Sequence, residues 1–324
     1  MKKQTLSVAM MLVLGGTLAA CNNDAENDDN NASNETSTET SEEKSSVTEQ
    51  AIVGDGSSTV FPILEIVNED YNAEYGSAAE IGVSGTGAGF DRFIAGETDF
   101  QNASRPIKDE EKQALEDAGI EYTELEVAID GLTVAVNKDN DFVKDLTFEE
   151  LYKIYSGQAE TWADVRSDFP DEKIVVYGPD QSHGTHDFFK EEVMDDEDIQ
   201  GELIQDTNQV VNAVTSDKNA IGFFGYNFYL NNKDNLQAVS IQGEDSTEAV
   251  EPTEENVKSY KYPLSRALFV YVADEKVKEN ESLSQFIEFL LDNASVAAED
   301  SGYVALDEEK LNEQKDKFKE IIGN

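Results

Sequence analysis

Both histidines of this 324-residue chain lie in one stretch, residues 180–189, which reads DQSHGTHDFF. His183 and His186 stand close to Asp180 and Asp187, and side chains of these types bind divalent metals or exchange protons. The Gly-Thr pair at 184–185 stands where a helix is predicted to begin, and a helix N-terminus binds anions through its free backbone N–H groups. The stretch therefore allows two kinds of site, a metal or acid–base site and an anion site.

Other stretches share the glycine and hydroxyl pattern of residues 182–185. Residues 56–59 read GSST, residues 84–89 read SGTGAG, and Ser104 precedes Arg105. Glycine lets the backbone approach a ligand closely, hydroxyl groups add donors, and the helix dipole adds about half a positive charge. One such loop is common as a helix cap. Several in one chain predict a compact oxyanion that accepts many hydrogen bonds at once.

The spacing of apolar residues places these loops between strands and helices. Apolar residues recur at helical spacing after Pro62, and β-branched and aromatic runs predict buried strands. Strands that alternate with helices indicate parallel sheets, in which ligands bind beyond the carboxyl ends of the strands. We predict strands at 51–53, 80–83, 124–135, 173–177, 220–228 and 264–272, helices from 62 and at 90–95, 109–118 and 148–155, and a mainly helical C-terminus.

Six stretches together resemble one known family. They read GDGSSTVFPI, SGTGAGF, DFQNASRPI, YGPDQSHGTHDFF, SDKNAIGFFGY and YPLSRALFVYV. In this order they are similar to the phosphate-binding lipoproteins of bacterial phosphate ABC transporters, from about Ile52 to the C-terminal helices. The resemblance implies an α/β, two-lobed periplasmic-binding-protein-like fold, in which each lobe is a mainly parallel sheet flanked by helices. It also implies that dehydrated phosphate is buried between the lobes and delivered to a membrane permease.

The resemblance further implies how the chain divides. Residues 51–128 and 265–324 are expected to form the first lobe, and residues 129–264 the second. Crossings near 126–131 and 262–266 are expected to form the hinge. A protein of this kind is expected to be a monomer, not an enzyme, and to need no cofactor or resident metal.

Carrying over the ligands of the family residue by residue gives a set of predicted phosphate contacts. His183 stands where many relatives have serine, and Pro179 stands where some have arginine, so Arg105 is the expected cation at the anion. Arg266 is expected to form a salt bridge between the lobes near the hinge. The predicted contacts are Ser58, Thr59, Thr86 (with Ser84 as its alternative), Ser104, Arg105, His183, Gly184 and Thr185.

The residue that accepts the proton of the ligand stays open. One branch of the family has an aspartate for this purpose, where the present chain reads Ser-Arg-Pro at 104–106. Asp99, Asp180 and Asp187 are the candidates.

The two histidines have different expected roles. His183 either donates a hydrogen bond to phosphate, adding charge below about pH 6.5, or packs at the loop edge in contact with solvent. His186 is expected to be solvated. A zinc site made from both is the less favoured alternative, because three-residue spacing across a Gly-Thr turn is not a helical i, i+4 pair. Trp162 and the aromatic residues at 223–226 are expected in the core.

The first 50 residues predict export and anchoring. Residues 1–21 read MKKQTLSVAMMLVLGGTLAAC, with two lysines before an apolar stretch that is too short to span a bilayer. The end of this signal peptide resembles a bacterial lipobox, which predicts lipidation of Cys21, the only cysteine of the chain. Residues 22–50 are polar and acidic and predict a disordered tether. We expect an extracytoplasmic protein, lipid-anchored to the cell membrane.

The charge of the chain is strongly negative. The sequence holds 24 basic and 69 acidic residues, a net charge of −45. Nucleic acid is excluded as a partner, because binding it requires a basic surface. Such a uniformly acidic surface is typical of proteins from salt-rich habitats, where salt screens exposed charges. We therefore hypothesise a halophilic or salt-tolerant source.

Two other functions remain open alongside phosphate transport. The same fold could bind another oxyanion, such as sulfate, molybdate or a phosphonate. A hydrolase with a phosphate-binding loop is the third possibility, but hydrolysis needs an activated nucleophile or a metal. No base for Ser58 is recognisable in the sequence.

Overall fold

The computed structural model describes residues 50–243 and 246–323. The predicted signal peptide 1–21, its lipidation site Cys21 and the predicted tether, except Gln50, lie outside the described residues. The strands in the described ranges are β1 (Val53–Gly56), β2 (Glu80–Ile81), β3 (Phe100–Ala103), β4 (Tyr122–Asn137), β5 (Asp145–Thr147), β6 (Val175–Pro179), β7 (Glu202–Ile204), β8 (Ala220–Gly225), β9 (Leu236–Ala238), β10 (Ser240–Gln242) and β11 (Ser265–Ala273).

The helices alternate with these strands through most of the chain. Over the described residues, none of them has the length and apolar character that crossing a bilayer requires. They are α1 (Phe61–Tyr75), α2 (Thr86–Ile94), α3 (Asp109–Ala118), α4 (Phe148–Tyr155), α5 (Trp162–Val165), α6 (Gly184–Val193), α7 (Thr207–Ser216), α8 (Tyr226–Asn232), α9 (Glu254–Lys258), α10 (Asp274–Glu279), α11 (Glu281–Asp300) and α12 (Glu308–Ile322).

Nine of the strands in the described part of the chain form one mixed sheet. Its order is β2-β1-β3-β11-β4-β8-β6-β7, and β9 pairs with β4 beside this path. The outer strands are parallel to their neighbours, as predicted: β1 pairs with β2 and β3, and β6 pairs with β7 and β8. The central strands β11 and β4 are antiparallel to each other and to their outer neighbours. The sheet is therefore parallel at both ends and antiparallel in the middle.

Strand β4 joins the two halves of the sheet. It is 16 residues long. Its first part, up to Gly131, pairs with β11, and its second part, from Leu132, pairs with β8. The two chain segments predicted to cross between lobes lie side by side here, because Arg266 pairs with Asp130 in the β11–β4 register. Two adjacent strands thus connect both halves.

Buried side chains form separate clusters on either side of this junction. One cluster contains residues from Ile52 to Ala128 together with Leu268 to Ile321. Another contains residues from Ile129 to Leu264, and it also includes Val304 and Leu306 from the turn between α11 and α12. We call them the first core and the second core. The C-terminal turn therefore reaches from the first half of the molecule into the second.

The predicted strand over 220–228 is too long. The sequence predicts a strand over 220–228, but β8 ends at Gly225 and α8 begins at Tyr226. Short apolar runs do not distinguish a strand from a buried helix, and only the first part of this run pairs with β4. The core prediction is confirmed: Trp162, Phe223 and Phe224 are fully buried, and Tyr226 is 4% exposed.

Candidate functional site

Three turns of the first half are fastened to one another by backbone hydrogen bonds. The Ser57 N–H, just after β1, donates to the Asn102 carbonyl on β3 at 3.0 Å. The Gly85 N–H, just before α2, donates to the Gly56 carbonyl at 2.8 Å. The Asn102 side chain donates in return to the Ser57 carbonyl at 3.0 Å. The loops after β1, before α2 and after β3 are thus held together at the carboxyl ends of β1 and β3.

Two hydroxyl groups that are predicted to contact phosphate meet at these carboxyl ends. The hydroxyl oxygens of Thr86 and Ser104 lie 3.2 Å apart, and the Ser104 N–H donates to the Thr86 hydroxyl at 3.2 Å. Ser84, the alternative to Thr86, is exposed, and its N–H donates to the Asp55 carboxylate. Thr86 is therefore the residue that the structure brings together with Ser104.

The turn at the start of α6 lies directly against the turn after β1. A Cβ atom built on Gly184 would lie 2.5 Å from Thr59 Cα and 2.6 Å from Thr59 Cβ, so only glycine permits this approach. The Ser58 hydroxyl donates to the Asp187 carboxylate at 3.1 Å. Since α6 contributes to the second core and α1 to the first, these contacts join the two halves. All four predicted turns therefore converge.

A cavity of about 210 Å³ lies where the first and fourth turns meet. Its lining includes Ser58, His183, Gly184 and Thr185, together with aromatic and C-terminal residues such as Phe224, Phe228 and Tyr303. Thr59, Thr86 and Ser104 do not line this cavity, although Thr59 touches Gly184 beside it. A volume of this size exceeds that of several water molecules at about 30 Å³ each, so a tetrahedral oxyanion fits.

A larger hollow elsewhere does not suit an anion. It measures about 500 Å³ and lies on the surface of the second half beside α4. Its lining includes the carboxylates of Glu149, Glu192 and Asp195. Like charges at close range repel, so this hollow disfavours the ligand that the four turns favour.

Arg105 is not directed at the four turns. Its guanidinium donates to both carboxylate oxygens of Glu111 at 2.8 and 2.7 Å and to the Pro106 carbonyl at 3.1 Å. It also lies over the Phe90 ring at 5.5 Å. Burial raises the pKa of Glu111, but hydrogen bonds from Arg105 and the Lys108 N–H outweigh it and hold the pKa below its ordinary value. The ligand role of Arg105 stays a prediction that this placement does not favour.

Arg266 contacts the turn after β1, which holds the predicted phosphate ligands Ser58 and Thr59. Its Nη2 donates to the Thr59 hydroxyl at 3.2 Å, while Nε lies 3.3 Å from Asp130 and Nη1 lies 3.2 Å from Glu191. Arg266 therefore forms ion pairs with Asp130 and Glu191, and its expected place near a hinge between lobes stays a prediction. Burial raises the pKa of Asp130 above its ordinary value, although the charge of Arg266 acts in the opposite direction. The Ser-Arg of YPLSRALF was the sequence signal for this contact, but it could not show that Thr59 lies next to it.

Comparison with known proteins places this geometry in a family. A model described as PBP superfamily domain matches residues 31–294. The phosphate-binding protein PstS of Staphylococcus epidermidis is 52% identical over 270 residues, which cover 83% of this chain and 83% of that protein. The chain belongs to the PstS family of the PBP superfamily.

Solved structures agree with the PstS assignment. A possible phosphate-binding protein from Planctomyces limnophilus matches with a TM-score of 0.81 and 35% identity, covering 85% of this chain and 99% of that one. A putative phosphate ABC transporter substrate-binding protein from Clostridium perfringens, solved with bound phosphate, matches with a TM-score of 0.52 and 28% identity over 80% of this chain and 100% of that one. The predicted periplasmic-binding-protein-like fold is confirmed.

The histidines of this PstS family member both have protein partners. His183 Nε2 donates to the Gln205 carbonyl, and His183 occupies the N-cap position of α6 without a side-chain capping hydrogen bond. His186 is only 7% exposed, so the expectation that it is solvated is wrong. It lies on the face of α6 that carries the buried Phe189 and Val193, three and seven residues further on. Its Nδ1 lies 3.3 Å from an Asp187 oxygen.

The aspartates proposed to accept the ligand proton lie in three different places. Asp99 accepts from the Val53 N–H at 2.9 Å, at the opposite end of β1 from the four turns. Asp180 accepts from the Ser182 N–H and hydroxyl, and these hydrogen bonds hold its pKa below the ordinary value. Asp187 faces Ser58 across the junction of the two halves. In the described ranges, no group of three or more His, Cys, Asp or Glu side chains is placed to hold a metal ion.

Proposed function

We propose that the chain is an extracytoplasmic solute-binding lipoprotein that captures inorganic phosphate and delivers it to the permease of an ABC transporter. The convergence of the four hydroxyl-bearing turns at one junction carries the proposal. Its PstS relatives are named as phosphate-binding proteins, and the Clostridium perfringens relative was solved with phosphate bound. These relatives are transport binding proteins, and we propose no enzymatic role for this chain.

The proposed ligands are neutral donors supplied by the starts of helices. Helices α2 and α6 begin at the junction and present the N–H groups of their first turns there, which attract an anion without a side-chain cation. Hydroxyl groups complete the set. The proposed phosphate contacts are Ser58, Thr59, Thr86, Ser104, His183, Gly184 and Thr185.

Asp187 is the proposed acceptor of the phosphate proton. Its carboxylate lies beside Ser58, whereas Asp99 lies at the far end of β1 and Asp180 is engaged by Ser182. Phosphate near neutral pH carries a proton, so it can donate a hydrogen bond to a carboxylate, whereas sulfate carries no proton. A carboxylate facing a fully ionised sulfate would repel it. Asp187 would thereby give discrimination between the two anions.

The first and second cores are proposed to be the moving lobes, 51–128 with 265–324 and 129–264. The hinge would be the adjacent strands β4 and β11. Closure would bring the α6 turn onto the turn after β1, completing the donor set and excluding water. Hydrogen bonds to an anion strengthen when water is excluded, because the local dielectric constant falls.

The lipid anchor at Cys21 and the tether 22–50 would hold the protein near its permease. The lipobox resemblance at the end of the signal peptide supports this part of the proposal. Labelled palmitate should enter the chain in living cells, and Cys21→Ser should abolish the label and release the protein into the medium. Label that persists in the variant would refute lipidation at this cysteine.

Equilibrium dialysis of the chain with radiolabelled phosphate tests the proposed function. We expect one saturable site, weakened about 10- to 100-fold by Thr185→Ala, since a hydrogen bond to a charged ligand contributes about 1.5–3 kcal/mol. Thr215→Ala on α7 is the matched control, because the Thr215 hydroxyl donates to the Asn212 carbonyl within its own helix. This control should bind like the unaltered chain.

Competitors decide between the alternatives. Unlabelled phosphate should displace the label far better than sulfate, molybdate or methylphosphonate. Stronger displacement by one of those anions would identify a different ligand for the same site. Release of product from a chromogenic phosphate ester by the pure protein would instead support a hydrolase.

A further inference from the structure

Arg266 contacts three parts of the molecule with one guanidinium group. Nε faces Asp130 on β4, Nη1 faces Glu191 on α6, and Nη2 donates to Thr59 in the turn after β1. The carbon at the centre of the guanidinium also lies 3.9 Å from the centre of the Phe188 ring. A guanidinium has five donors in a rigid plane, so one arginine can hold partners in several directions at fixed angles.

The sheet fixes the position of Arg266 from one side. Arg266 and Asp130 are direct cross-strand neighbours in the β11–β4 pair. Asp130 is fully buried, and its Oδ1 has no hydrogen-bond partner among the residues that the structure describes. The net stability from such a buried ion pair is small, because desolvation offsets the attraction. The main effect of Asp130 is therefore to orient the guanidinium.

The other contacts of Arg266 reach across the junction. Phe188 and Glu191 are three residues apart on α6, so both face the same side of that helix. Phe188 belongs to the second core, whereas the β11 residues that follow Arg266, such as Leu268, belong to the first. Opening the cleft would pull α6 away from the guanidinium, while Thr59 and Asp130 would stay beside it.

We propose that Arg266 is a positioning residue that stabilises the closed state of the binding cycle. It does so by linking Thr59, in the turn after β1, to Glu191 and Phe188 of helix α6, which we call the fastening role. The inference rests on the proposed phosphate function. In this inference Arg266 slows the release of the ligand, in addition to any electrostatic attraction that it exerts on the anion. The guanidinium shares Thr59 with the proposed ligand set, so an anion bound to this turn would also stabilise the fastened arrangement.

Dissociation rates of the full chain test the proposal. Bound radiolabelled phosphate is chased with unlabelled phosphate at fixed ionic strength, and the thermal midpoint without phosphate is measured in parallel. Glu191→Gln should release phosphate about two- to fivefold faster, as expected for a half-exposed ion pair. Arg266→Lys should release it about tenfold faster or more, because lysine supplies neither the fork nor the stacking.

Two control variants separate fastening from general stability. Glu149→Gln removes an equal charge from an ion pair with Lys153 on α4. Arg166→Lys makes the same exchange in a cluster with Glu150 and Asp145. Both controls should keep the release rate of the unaltered chain, although Arg166→Lys should lower the thermal midpoint.

Three results would overturn the fastening role. The first is that Arg266→Lys and Glu191→Gln both release phosphate at a rate within twofold of that of the unaltered chain. The second is that Arg166→Lys accelerates phosphate release as much as Arg266→Lys does. The third applies if Arg266→Lys does not fold, and it is an unaltered release rate in Glu191→Gln. An unaltered chain that fails to bind phosphate would overturn the proposed function and the fastening role together. Normal binding with unaffected variants would overturn the fastening role only.

Discussion

Replacing Gly184 with alanine should weaken phosphate binding without unfolding the protein. The new Cβ would lie 2.5 Å from the backbone Cα of Thr59, whereas carbon atoms in ordinary contact are about 3.5–4.0 Å apart. The α6 turn must therefore withdraw by about 1 Å, and a displacement of that size at a functional site can cost about 100-fold. We expect a loss of about 10- to 100-fold in affinity, or about 1.4–2.8 kcal/mol.

The stability of the ligand-free Gly184→Ala protein should not fall. Gly184 is the first residue of α6 and does not have a positive φ, so alanine fits its backbone. Alanine is also the better helix former, by up to about 1 kcal/mol. The open form avoids the contact with Thr59 altogether. Differential scanning calorimetry without phosphate should show an unchanged or slightly raised midpoint.

Gly87→Ala is the matched control for this experiment. Gly87 lies in the first turn of α2, and a Cβ built on it has no neighbour within 4 Å. Isothermal titration with phosphate should give the unaltered affinity for Gly87→Ala and the weakened affinity for Gly184→Ala. If Gly184→Ala binds phosphate within twofold of the unaltered chain, the turns do not need to touch in the bound state and the reasoning fails.

Three further predictions concern the histidine, the expected cation and the surface charge. His183→Ala should weaken phosphate binding about two- to tenfold, since His183 lines the cavity beside Ser58 and Thr185; an unaltered affinity in calorimetric titration would contradict this. Arg105→Gln should lower the unfolding free energy at pH 7 by about 1 kcal/mol or less and change phosphate affinity less than threefold. The lowered pKa of Glu111 stabilises the fold above the carboxyl's unfolded pKa of about 4.3, so in urea titrations this difference should shrink below about pH 4; a persistent difference would refute the pairing. Raising KCl from 0.1 to 1 M should raise the thermal midpoint by roughly 2–6 °C, since the screening length falls from about 10 to 3 Å; a midpoint highest in dilute buffer would reject the halophile hypothesis.

Local sequence signals predicted several elements of the fold well. Helices α3 and α4 have the predicted bounds, 109–118 and 148–155. Helix α4 begins with a capping box between Thr147 and Glu150, and at the start of α3 the Glu111 carboxylate accepts from the Lys108 N–H. Helix α3 ends at Gly119 in the left-handed conformation that favours glycine. Where a boundary depends on local chemistry, the sequence was sufficient.

Features that depend on distant partners could not be predicted in this way. The prediction of mainly parallel sheets omitted the antiparallel pairing of β4 with β11, which joins residues more than 130 positions apart. Strand β1 extends to Gly56 rather than ending at 53, because its last residues pair with β3. No local pattern in either stretch encodes these partners.

The candidate site shows the same division. The hydroxyl turns were recognisable from Gly, Ser and Thr residues before helices, and the structure brings them together. The direction of a long side chain was not recognisable: Arg105 bonds to Glu111, and Arg266 reaches Thr59. The burial of His186 depends on which face of α6 packs against the second core, and that face is set by tertiary contacts.

A crystal structure of the chain grown with phosphate tests the central claim most directly. We predict one phosphate at the junction, with oxygens within about 3 Å of the Ser58 and Thr185 hydroxyls and of N–H groups at the start of α6. Phosphate bound only at surface lysines would contradict the account. So would a structure grown at saturating phosphate in which the four turns are in contact around water and no phosphate is bound.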